Sequence, residues 1–425
     1  MRNTLISMLV CCLAAPIPGV ALAQNDDDDG AAAPFEEIIV TTTRREENIM
    51  EVALSIQAIP AEKLELPTFN DMTDVVKLVP GATGYSQKPP FNLGIQFRGS
   101  GITQNIAGGL SPVGYYVDDI PYLDISTPTP PPMSTFDLEQ IEIVRGPQGT
   151  SYGQDSSAGS VILRTKAVDL QEVTYAARVG VSDVMHYDGT GYTVGGALNL
   201  PLVEDVFGVR VSYLRELDPG YGDVAGRPDI DDAFEVTTDS IRIKAFWQAT
   251  DTIDFEFAHS EWIYQYNTLP ASQILSTTGG GLVIQPVFTP IMLERFPDAR
   301  LKNDYEISWT TLRANFDLGF ATLTSSTGFV DTPKKETNSE FFFDLGFGLL
   351  ASAVLFNQPA EALTQEFRLV STTEGPLQWI TGVFYADAES GARGIVDTPA
   401  FFIKNSQGSD VNTESWAIFG EIDYM

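Results

Sequence analysis

The amino-acid sequence predicts an antiparallel membrane β-barrel, preceded by a smaller domain of mixed α and β structure. Three observations carry this prediction: a secretory signal at the start, a series of about ten strands from residue 172 onward, and connections that alternate between tight turns and long loops. Outer-membrane barrels have short periplasmic turns and long extracellular loops, whereas a soluble sandwich has no reason to sort its loops in this way.

Residues 1–23 have the pattern of a secretory signal peptide. Arg2 is followed by an apolar run, and a small-residue cleavage site of the A-x-A type precedes Gln24. A lipid-attachment site at Cys12 fits the pattern less well. Both cysteines, Cys11 and Cys12, lie in the segment that is removed, so the exported chain is expected to have neither a disulfide nor a thiol ligand.

Charge and hydropathy argue against a nucleic-acid-binding protein and against a helical membrane protein. The formal net charge is −32, from 25 Lys and Arg against 57 Asp and Glu, which argues against nucleic acid as a partner because phosphate binding needs clustered cations. Beyond the signal there is no uncharged apolar run of the roughly 20 residues that a membrane-spanning helix needs. The mature chain is therefore predicted to be either soluble or a β-barrel.

The segment between the signal and the strands divides into three parts. Residues 24–36 are acidic and rich in alanine, and they are expected to form a disordered tether. Residues 37–43 are β-branched and have no obvious hairpin partner, which suits pairing with the sheet edge of another protein. Residues 44–168 have mixed α/β signals, with a short helix at 71–79 and strands at 113–120 and 141–144.

Residues 169–425 are predicted to form the barrel. The predicted strands are 172–183, 189–200, 206–217, 238–249, 252–262, 305–318, 321–331, 362–372, 377–388 and 413–424. Tight turns are expected at 201–205, 249–251, 318–320 and 373–376, and long loops at 218–237, 263–304, 332–361 and 389–412. In the fourth strand Ile241, Ile243, Ala245 and Trp247 share one face, and Arg242 and Lys244 lie on the other. A soluble sheet with one solvated face gives the same alternation.

Several motifs in order carry a resemblance to a known family. Residues 136–153, Phe-Asp-Leu-Glu-Gln-Ile-Glu-Ile-Val-Arg-Gly-Pro-Gln-Gly-Thr-Ser-Tyr-Gly, closely resemble the plug signature of TonB-dependent outer-membrane receptors. The further matches are 79–81, 97–101, 114–122 and 157–166, and thinner ones at 365–369 and 417–421. The resemblance covers most of the mature chain, so the α/β domain is identified as a plug and the strands as the barrel around it.

The resemblance implies partners for the strand before the plug. Its residues resemble the TonB box, which would contact TonB, driven by ExbB and ExbD, through strand addition in the periplasm. These candidate TonB-contact residues are Glu37, Ile38, Ile39, Val40, Thr41 and Thr42. An extended linker is the alternative reading. The other implied partners are outer-membrane lipid and a small-molecule ligand such as a ferric siderophore, with no cofactor and no resident metal.

The plug motifs also imply site residues. They are Arg98, Gly99, Arg145, Gly146, Pro147, Gly149, Tyr152 and Gly153. Tight backbone turns that a side chain would forbid are permitted by Gly146, Gly149 and Gly153, and Pro147 fixes the turn between them. In the family such arginines face carboxylates of the barrel wall, and Glu366 and Glu421 are the candidate partners because alternation places both on the lumen side. Ordinary solvated lumen charges are an equally good reading.

The implied function is energy-coupled uptake of a scarce nutrient across the outer membrane. Ferric siderophore is the leading cargo, and cobalamin, haem or oligosaccharide are the alternatives. Ligand contacts are expected from residues 86–91 and 103–109 and from the aromatic-rich loop 341–356, which could instead be a cap that packs on itself. An enzyme is disfavoured because His186 and His259 are far apart and no nucleophile constellation is present.

The number of predicted strands indicates that the barrel is incomplete. Family barrels have about 22 strands around a plugged lumen, and this chain supplies about ten. The sequence is therefore expected to be truncated, and a transport-inactive truncated receptor is an alternative to an active transporter.

Overall fold

The computed structural model describes residues 39–42, 44–45, 47–50, 52, 54–66, 72–86, 93–101, 111–125, 129–147, 156–183, 189–219, 235–268, 301–344, 349–372, 375–398 and 403–424. We call residues 39–166 the plug and the strands from residue 174 onward the barrel wall. None of the helices in these ranges combines the length and the apolar character that crossing a bilayer requires.

The described residues of the plug form ten short strands and two short helices. They are β1 (Ile39–Val40), β2 (Glu47–Asn48), β3 (Ile56–Pro60), α1 (Ala61–Leu64), α2 (Met72–Lys77), β4 (Ala82–Ser86), β5 (Leu93–Phe97), β6 (Ser100–Gly101), β7 (Val113–Val117), β8 (Ile120–Pro121), β9 (Leu138–Arg145) and β10 (Gly159–Thr165). This confirms the mixed α/β class predicted for the plug, including a helix that ends before Pro80 and strands within 113–121 and 138–145.

A five-stranded sheet with the order β3-β9-β10-β7-β8 forms the centre of the plug. Strand β10 runs parallel to β7 and antiparallel to β9. All five residues of β7 are buried, as are six of the seven in β10, which fits a sheet that is covered on both faces. The plug core therefore lies between this sheet and the elements packed on it.

The segment predicted to lack a hairpin partner has one. Strand β1 pairs antiparallel with β2, so that Ile39 lies opposite Asn48 and Val40 opposite Glu47. The prediction was wrong because each strand is only two residues long, and such a short pairing leaves no periodic pattern in the sequence. We call residues 39–48 the N-terminal hairpin.

Where the structure describes it, the barrel wall is one antiparallel sheet of eleven strands. They are β11 (Thr174–Asp183), β12 (Thr190–Val203), β13 (Phe207–Asp218), β14 (Val236–Thr250), β15 (Ile253–Thr268), β16 (Leu301–Asp317), β17 (Ala321–Asp344), β18 (Leu349–Asn357), β19 (Ala360–Ser371), β20 (Leu377–Thr398) and β21 (Ile403–Tyr424). All ten predicted strands are present, and the predicted tight turns lie between β12 and β13, β14 and β15, β16 and β17, and β19 and β20.

Strands β18 and β19 share one position in the wall. The first pairs with the distal part of β17, the second with its proximal part, and both pair with β20. Pro359 lies in the break between them, where a residue without a backbone N–H cannot continue the ladder. The wall therefore has ten strand positions, as predicted, and β18 is the strand that the sequence reading missed.

Two predicted long loops are largely strand. Strand β17 continues to Asp344 and returns as β18, so the backbone of the predicted loop 332–361 is mostly a β-hairpin. The predicted loop 389–412 is likewise taken up by the ends of β20 and β21. These strands are longer than the roughly 9–11 residues that a bilayer needs, so the excess extends beyond it.

The predicted faces of β14 are confirmed. Arg242 and Lys244 are buried against the plug, whereas Ile243 and Trp247 are about half exposed on the outer side. Large apolar side chains on the outside of other wall strands, such as Val383 and Leu377, share this exposure. The outer face therefore has the apolar character of a surface that contacts lipid.

Aromatic residues of the wall hold the plug from one side. Tyr122 of the plug meets Trp309 of β16 edge to face, with 5.7 Å between the ring centroids. The hydroxyl of Tyr264 in β15 donates to the carbonyl oxygen of Pro132 in the proline-rich loop. Wall and plug residues thus belong to a single buried apolar cluster, and the plug core continues into the wall.

Gly328 of β17 is a point where plug and wall approach too closely for a side chain. A Cβ atom there would lie 2.5 Å from Trp309, 2.8 Å from Ile120 of the plug and 2.8 Å from Thr364. We expect Gly328→Ala to destabilise the plug–wall contact by about 1–3 kcal/mol through overpacking. Thermal unfolding of the detergent-solubilised protein measures this, with Gly180→Ala as the control because its Cβ would meet nothing nearer than 3.6 Å. Equal melting temperatures for the two variants would contradict the packing described.

Candidate functional site

Charged side chains are buried between the plug and the barrel wall. The lumen-facing positions of the wall strands supply the cations Arg210, Arg242, Lys244 and Arg313, and the plug supplies Asp118, Asp119, Asp137 and Glu142. Buried charges are stable only when they are paired and hydrogen-bonded. These groups therefore fix how the plug sits against the wall.

The first group is the Asp137 cluster, which consists of Asp137, Arg210 and Arg242. Arg242 Nη2 lies 2.9 Å from Asp137 Oδ2 and also donates to the Asp137 carbonyl oxygen at 2.7 Å. Arg210 forms a second ion pair with the same carboxylate through Nη2 and Nε. Asp137 has a φ of 61°, in the left-handed region that Asp and Asn tolerate best. One plug carboxylate thus joins two neighbouring wall strands, β13 and β14.

The second group is the Asp118 cluster, which consists of Asp118, Thr165, Lys244, Glu256 and Arg313. Asp118 accepts from the backbone N–H and the hydroxyl of Thr165 at 2.8 and 2.6 Å. Lys244 Nζ reaches Asp118 at 3.1 Å, Thr165 at 2.9 Å and Glu256 at 3.5 Å. Arg313 pairs with Glu256 and donates to the Asp118 carbonyl oxygen at 3.3 Å. The turn after β7 is thereby tied to strands β14, β15 and β16.

Asp119, the next residue, connects the plug to the N-terminal hairpin. Arg164 binds both carboxylate oxygens of Asp119 at 2.7 Å, a bidentate arrangement. Arg44 donates to the Asp119 carbonyl oxygen at 2.8 Å and lies 3.4 Å from its carboxylate. Arg44 also lies 3.8 Å from Glu366 of the wall. One guanidinium of the hairpin therefore contacts the plug and the wall together.

The Glu142 cluster holds the hairpin itself. Glu142 of β9 is fully buried. Its carboxylate accepts from the backbone N–H and hydroxyl of Thr41 at 3.2 and 3.0 Å and from the hydroxyl of Thr42 at 2.6 Å. Gln140 and Arg164 complete its partners at 3.0 and 3.4 Å. Most of the hydrogen bonds to this buried carboxylate thus come from residues predicted to contact TonB.

The plug carboxylates titrate below their usual range. Burial raises the pKa of Asp119, but Arg164, Arg44 and Arg368 outweigh burial and lower it. The pKa of Asp137 is lowered in the same way, with burial opposed by Arg210 and Arg242. Burial of Asp118 is outweighed by Lys244, the Thr165 hydrogen bonds and Arg313, so its pKa is lowered as well. All three aspartates are therefore ionised in the folded protein at neutral pH.

These shifts give stability a defined pH dependence. A depressed carboxyl pKa contributes stability above the unfolded value of about 4, and that stability is lost as the pH falls toward the folded value. We expect the melting temperature to be constant from about pH 7 to about pH 5 and to fall steeply below about pH 4. Circular dichroism melting curves measure this, and Asp119→Asn should reduce the acid slope. An unchanged slope in that variant would contradict a linkage through Asp119.

The two predicted carboxylate partners, Glu366 and Glu421, lie in different surroundings. Glu366 faces the plug, as predicted, and is buried beside Arg368 at 2.5 Å. Its plug neighbour is Arg44 rather than either motif arginine. Glu421 lies opposite Ile380 in the ladder and so shares its lumen face, but it is exposed in β21 and contacts no plug residue within the ranges described.

The motif arginines do not pair with wall carboxylates in the described part of the chain. Arg145 donates to the carbonyl oxygen of Pro80 at 2.7 Å, because the end of β9 lies beside the turn that follows α2. Arg98 is exposed in a left-handed turn with a φ of 52°. Of the two candidate wall carboxylates, Glu366 contacts Arg44 of the N-terminal hairpin and Arg368 of the wall. The pairing of the motif arginines with wall carboxylates stays a prediction.

The structure describes some of the other predicted site residues, and the rest lie outside the described ranges. Gly99 and Gly146 have φ values of 81° and 108°, so the conformational reason given for these glycines holds. Pro147 follows them at an exposed position. Outside the described residues lie Glu37, Ile38, Gly149, Tyr152, Gly153 and the predicted ligand contacts 87–91 and 103–109.

Sequence reasoning missed most of the buried charges, although a signal was present. Glu142 lies between Ile141 and Ile143, Arg164 is the one charged residue of β10, and Asp118 and Asp119 follow five apolar or small residues. A charge in a strand that is buried on both faces needs a partner. The partners lie from 73 to 195 residues away for the wall contacts of Asp137 and Asp118, so they could not be named from the sequence.

A cavity of about 490 Å³ lies beside the N-terminal hairpin. Its lining comes from the hairpin, the plug and the wall strands β14 to β17. The lining residues are Thr41, Arg44, Arg45, Asp119, Arg164, Gln248, Asp251, Thr252, Asp254, Arg313, Asn315, Asp317 and Thr322, all of them polar. Among the described residues no three His, Cys, Asp or Glu side chains are arranged to hold a metal ion.

Comparison with known proteins identifies this arrangement. Residues 48–160 match the sequence model of the TonB-dependent receptor plug domain. These residues therefore form a TonB-dependent receptor plug domain. A curated relative, the iron-regulated outer membrane virulence protein of Vibrio cholerae, is 28% identical over 186 residues, which cover 41% of this chain and 28% of the relative.

Solved receptors share the fold. The ferric yersiniabactin uptake receptor of Yersinia pestis matches with a TM-score of 0.65 and 16% identity, over 87% of this chain and 61% of that one. The ferripyoverdine receptor of Pseudomonas aeruginosa matches with a TM-score of 0.67 and 11% identity, over 99% and 57%. The chain therefore spans little more than half the length of these solved TonB-dependent receptors.

The plug match and the shared fold decide the fold class. A plug domain set against an antiparallel barrel wall is the architecture of TonB-dependent receptors, so the predicted fold class is confirmed. The curated relative is named an outer membrane protein, and the two solved relatives are named receptors.

Proposed function

We propose that this protein takes up a scarce nutrient across the outer membrane in a TonB-dependent, energy-coupled reaction, with a ferric siderophore as the cargo. In this proposal residues 1–23 are a signal peptide, 24–36 a tether, 37–43 the TonB box, 44–168 the plug and 169–425 barrel. ExbB and ExbD energise TonB, and lipid surrounds the wall. The names of the relatives support iron as the cargo. One relative is named as iron-regulated, one as an uptake receptor for ferric yersiniabactin, and one as a receptor for ferripyoverdine.

The position of the N-terminal hairpin is the observation that carries this proposal. Arg45 donates to the hydroxyl of Ser371 and to the carbonyl oxygen of Trp379, both at 3.2 Å. These residues flank the short turn between β19 and β20, and short turns mark the periplasmic end of an outer-membrane barrel. Of the residues proposed to bind TonB, those from Ile39 to Thr42 therefore belong to a hairpin at the end of the barrel that TonB can reach.

Buried side chains anchor the hairpin to the plug, whereas its backbone pairing is short. Val40 and Thr42 are buried, whereas Ile39 is 42% exposed. Its backbone pairing is only two residues long, so an incoming strand can replace β2 as the partner of β1. Pulling on residues 39–42 then removes hydrogen-bond donors from buried Glu142 and the Arg44 contact from Asp119, which loosens the plug.

Strand addition can be tested with one position. Val40→Pro removes a backbone N–H and fixes φ, so we expect binding of the purified periplasmic domain of TonB to the detergent-solubilised receptor to fall at least about tenfold. Val40→Ala is the matched control, since it loses the side chain but keeps the N–H. Equal affinities of the two variants for that domain would count against strand addition at this site.

The cargo class can be separated by growth. A strain that lacks this receptor is expected to grow poorly when a ferric siderophore is its only iron source and normally on simple sugars or oligosaccharides. Supplying the gene restores growth if the chelate is the cargo. Unchanged growth under iron limitation, with a defect on cobalamin, haem or an oligosaccharide, would reassign the cargo while leaving the TonB-coupled mechanism in place.

A further inference from the structure

We propose that the outer face of the barrel wall carries a binding site for the phosphate group of a membrane lipid, built from Tyr192, Tyr213, Arg215 and Asp239. We call these four residues the Arg215 cluster. The inference rests on the part of the proposed function that surrounds the wall with outer-membrane lipid, and it concerns that lipid rather than the cargo.

The Arg215 cluster lies on the face of the wall that points away from the plug. Arg215 of β13 is opposite Asp239 of β14 in the ladder. Alternation places both on the side of the half-exposed Trp247 and on the opposite side from the buried Arg242. The outer positions between this pair and the tight turns are Phe207, Val209, Val211 and Tyr213 in β13 and Trp247, Ala245, Ile243 and Ile241 in β14. Arg215 and Asp239 are therefore the first charged residues on an apolar and aromatic, lipid-facing surface.

The height of the cluster fits the outer boundary of the bilayer. Trp247 stacks on Phe255 with 5.5 Å between the ring centroids close to the β14–β15 turn, as expected of the aromatic girdle at the periplasmic interface. Arg215 comes eight residues after Phe207, the ladder partner of Trp247, which is about 26 Å of strand and about 20 Å of height at the usual tilt. The apolar band of such a wall is about 25 Å tall, so the long side chain of Arg215 reaches the level of the lipid headgroups.

The polar neighbours of Arg215 fix the direction of its guanidinium group. Nε donates to the hydroxyl of Tyr192 at 3.2 Å, and Nη1 donates to the two carboxylate oxygens of Asp239 at 3.1 and 3.0 Å. The hydroxyl of Tyr213 donates to Asp239 Oδ1 at 2.7 Å, so the carboxylate is held as well. A preorganised cation of this kind loses little side-chain freedom when it binds an anion.

Two donors of the cluster remain available to a ligand. The hydrogen bonds of Arg215 to described residues leave from Nε and Nη1, and Nη2 keeps two N–H groups. The oxygen of Tyr192 accepts from Arg215, so its own O–H can donate to another group. Nε and Nη2 share one edge of the planar guanidinium group, which puts both available donors on the same edge. Because 45% of the Arg215 side chain is exposed, a phosphate oxygen can reach them, and the arginine fork matches phosphate geometry.

The outer face of the neighbouring strands would repel a phosphate. In the ladder row of Tyr213, carboxylates occupy the outer positions of four further strands. They are Glu261 of β15, Asp331 of β17, Glu361 of β19 and Glu389 of β20. Like charges in adjoining positions repel each other and any further anion. A phosphate is therefore expected beside Arg215 and not along this row.

Lipid binding to the detergent-solubilised full chain measures the site directly. Native mass spectrometry of a titration with phosphatidic acid gives the affinity of the first bound lipid. We expect Arg215→Gln to weaken it at least about fivefold and Tyr192→Phe, which removes only one O–H, at least about twofold. Arg393→Gln is the matched control, because that arginine is 58% exposed and paired with Asp410 but lies ten residues beyond Val383 on β20. Equal affinities of Tyr192→Phe and the control would overturn the site even if Arg215→Gln did not fold.

The same titration separates a lipid headgroup from a free phosphate ion. Diacylglycerol, which has the chains but no phosphate, should bind at least about tenfold more weakly, and equal binding would overturn phosphate recognition. An excess of inorganic phosphate should leave phosphatidic acid bound, since the ion lacks the chains that contact Val211 and Ile243; full displacement would overturn the lipid assignment. Neither result depends on uptake, so failure of the proposed transport leaves the site standing. Absence of the chain from the outer-membrane fraction of cells would instead refute the membrane setting on which both rest.

Discussion

Replacing Asp137 by asparagine is expected to destabilise the plug–wall interface by about 3–5 kcal/mol, because it leaves two buried guanidinium groups without their counter-charge. Asparagine keeps the size of the side chain and tolerates the left-handed φ of 61°, so the change isolates the charge. The side chains of Arg210 and Arg242 are only 7% and 9% exposed, and solvent cannot replace the lost partner. The plug should lose its resistance to protease at a lower temperature than in the unmodified protein.

The matched control is Asp239→Asn. Asp239 pairs with Arg215 at 3.0 Å, but that arginine side chain is 45% exposed. Pairs of this kind contribute about 0–1 kcal/mol, so the control should melt close to the unmodified protein. If both variants lost equal stability, the Asp137 cluster would contribute no more than a solvated ion pair of the lumen.

The second large effect is expected at Lys244. Lys244→Met keeps the length of the side chain but removes the cation that joins Asp118 of the plug to Glu256 of the wall. Two largely buried carboxylates are then left with Arg313 as their remaining cation, and the expected cost is about 3 kcal/mol. The measurement is the midpoint of plug unfolding in denaturant, followed by the fluorescence of an introduced plug probe.

Lys334→Met serves as the control for this second variant. Lys334 pairs with Asp304 at 2.7 Å on the same wall, with a third of its side chain exposed, so its loss should cost at most about 1 kcal/mol. A midpoint for Lys244→Met no lower than that of the control would mean that the Asp118 turn is held by Thr165 and Arg313 alone.

The sequence was a good guide wherever a local rule decides the structure. Ten strand positions followed from alternation and from tight turns, since the period of two and the turn residues are visible in any single strand. The hairpin at residues 39–48 and strand β18 were missed for opposite reasons. The hairpin strands are too short to show a period, and β18 lies in a long connection whose polar and aromatic mixture resembles a loop.

The site was less predictable than the fold because its contacts are long-range. The lumen side of Glu366 could be counted from alternation, but its plug partner is Arg44, which precedes the plug motifs altogether. Glu142 lay in the quoted signature, yet nothing local indicates that Thr41 and Thr42, about 100 residues earlier, bind it. Pairings between distant segments depend on the order of strands in the sheet. No single sequence motif predicts the order β3-β9-β10-β7-β8.

Uptake by this chain is the most direct test of the account. Cells that express it as the sole receptor for an iron-55 siderophore chelate should accumulate iron when TonB is functional and stop when the proton-motive force is dissipated or tonB is deleted. Binding of the chelate at the surface should persist in both cases. Accumulation that continued without TonB would contradict the central claim, as would a functional TonB that produced no accumulation above an empty-vector strain.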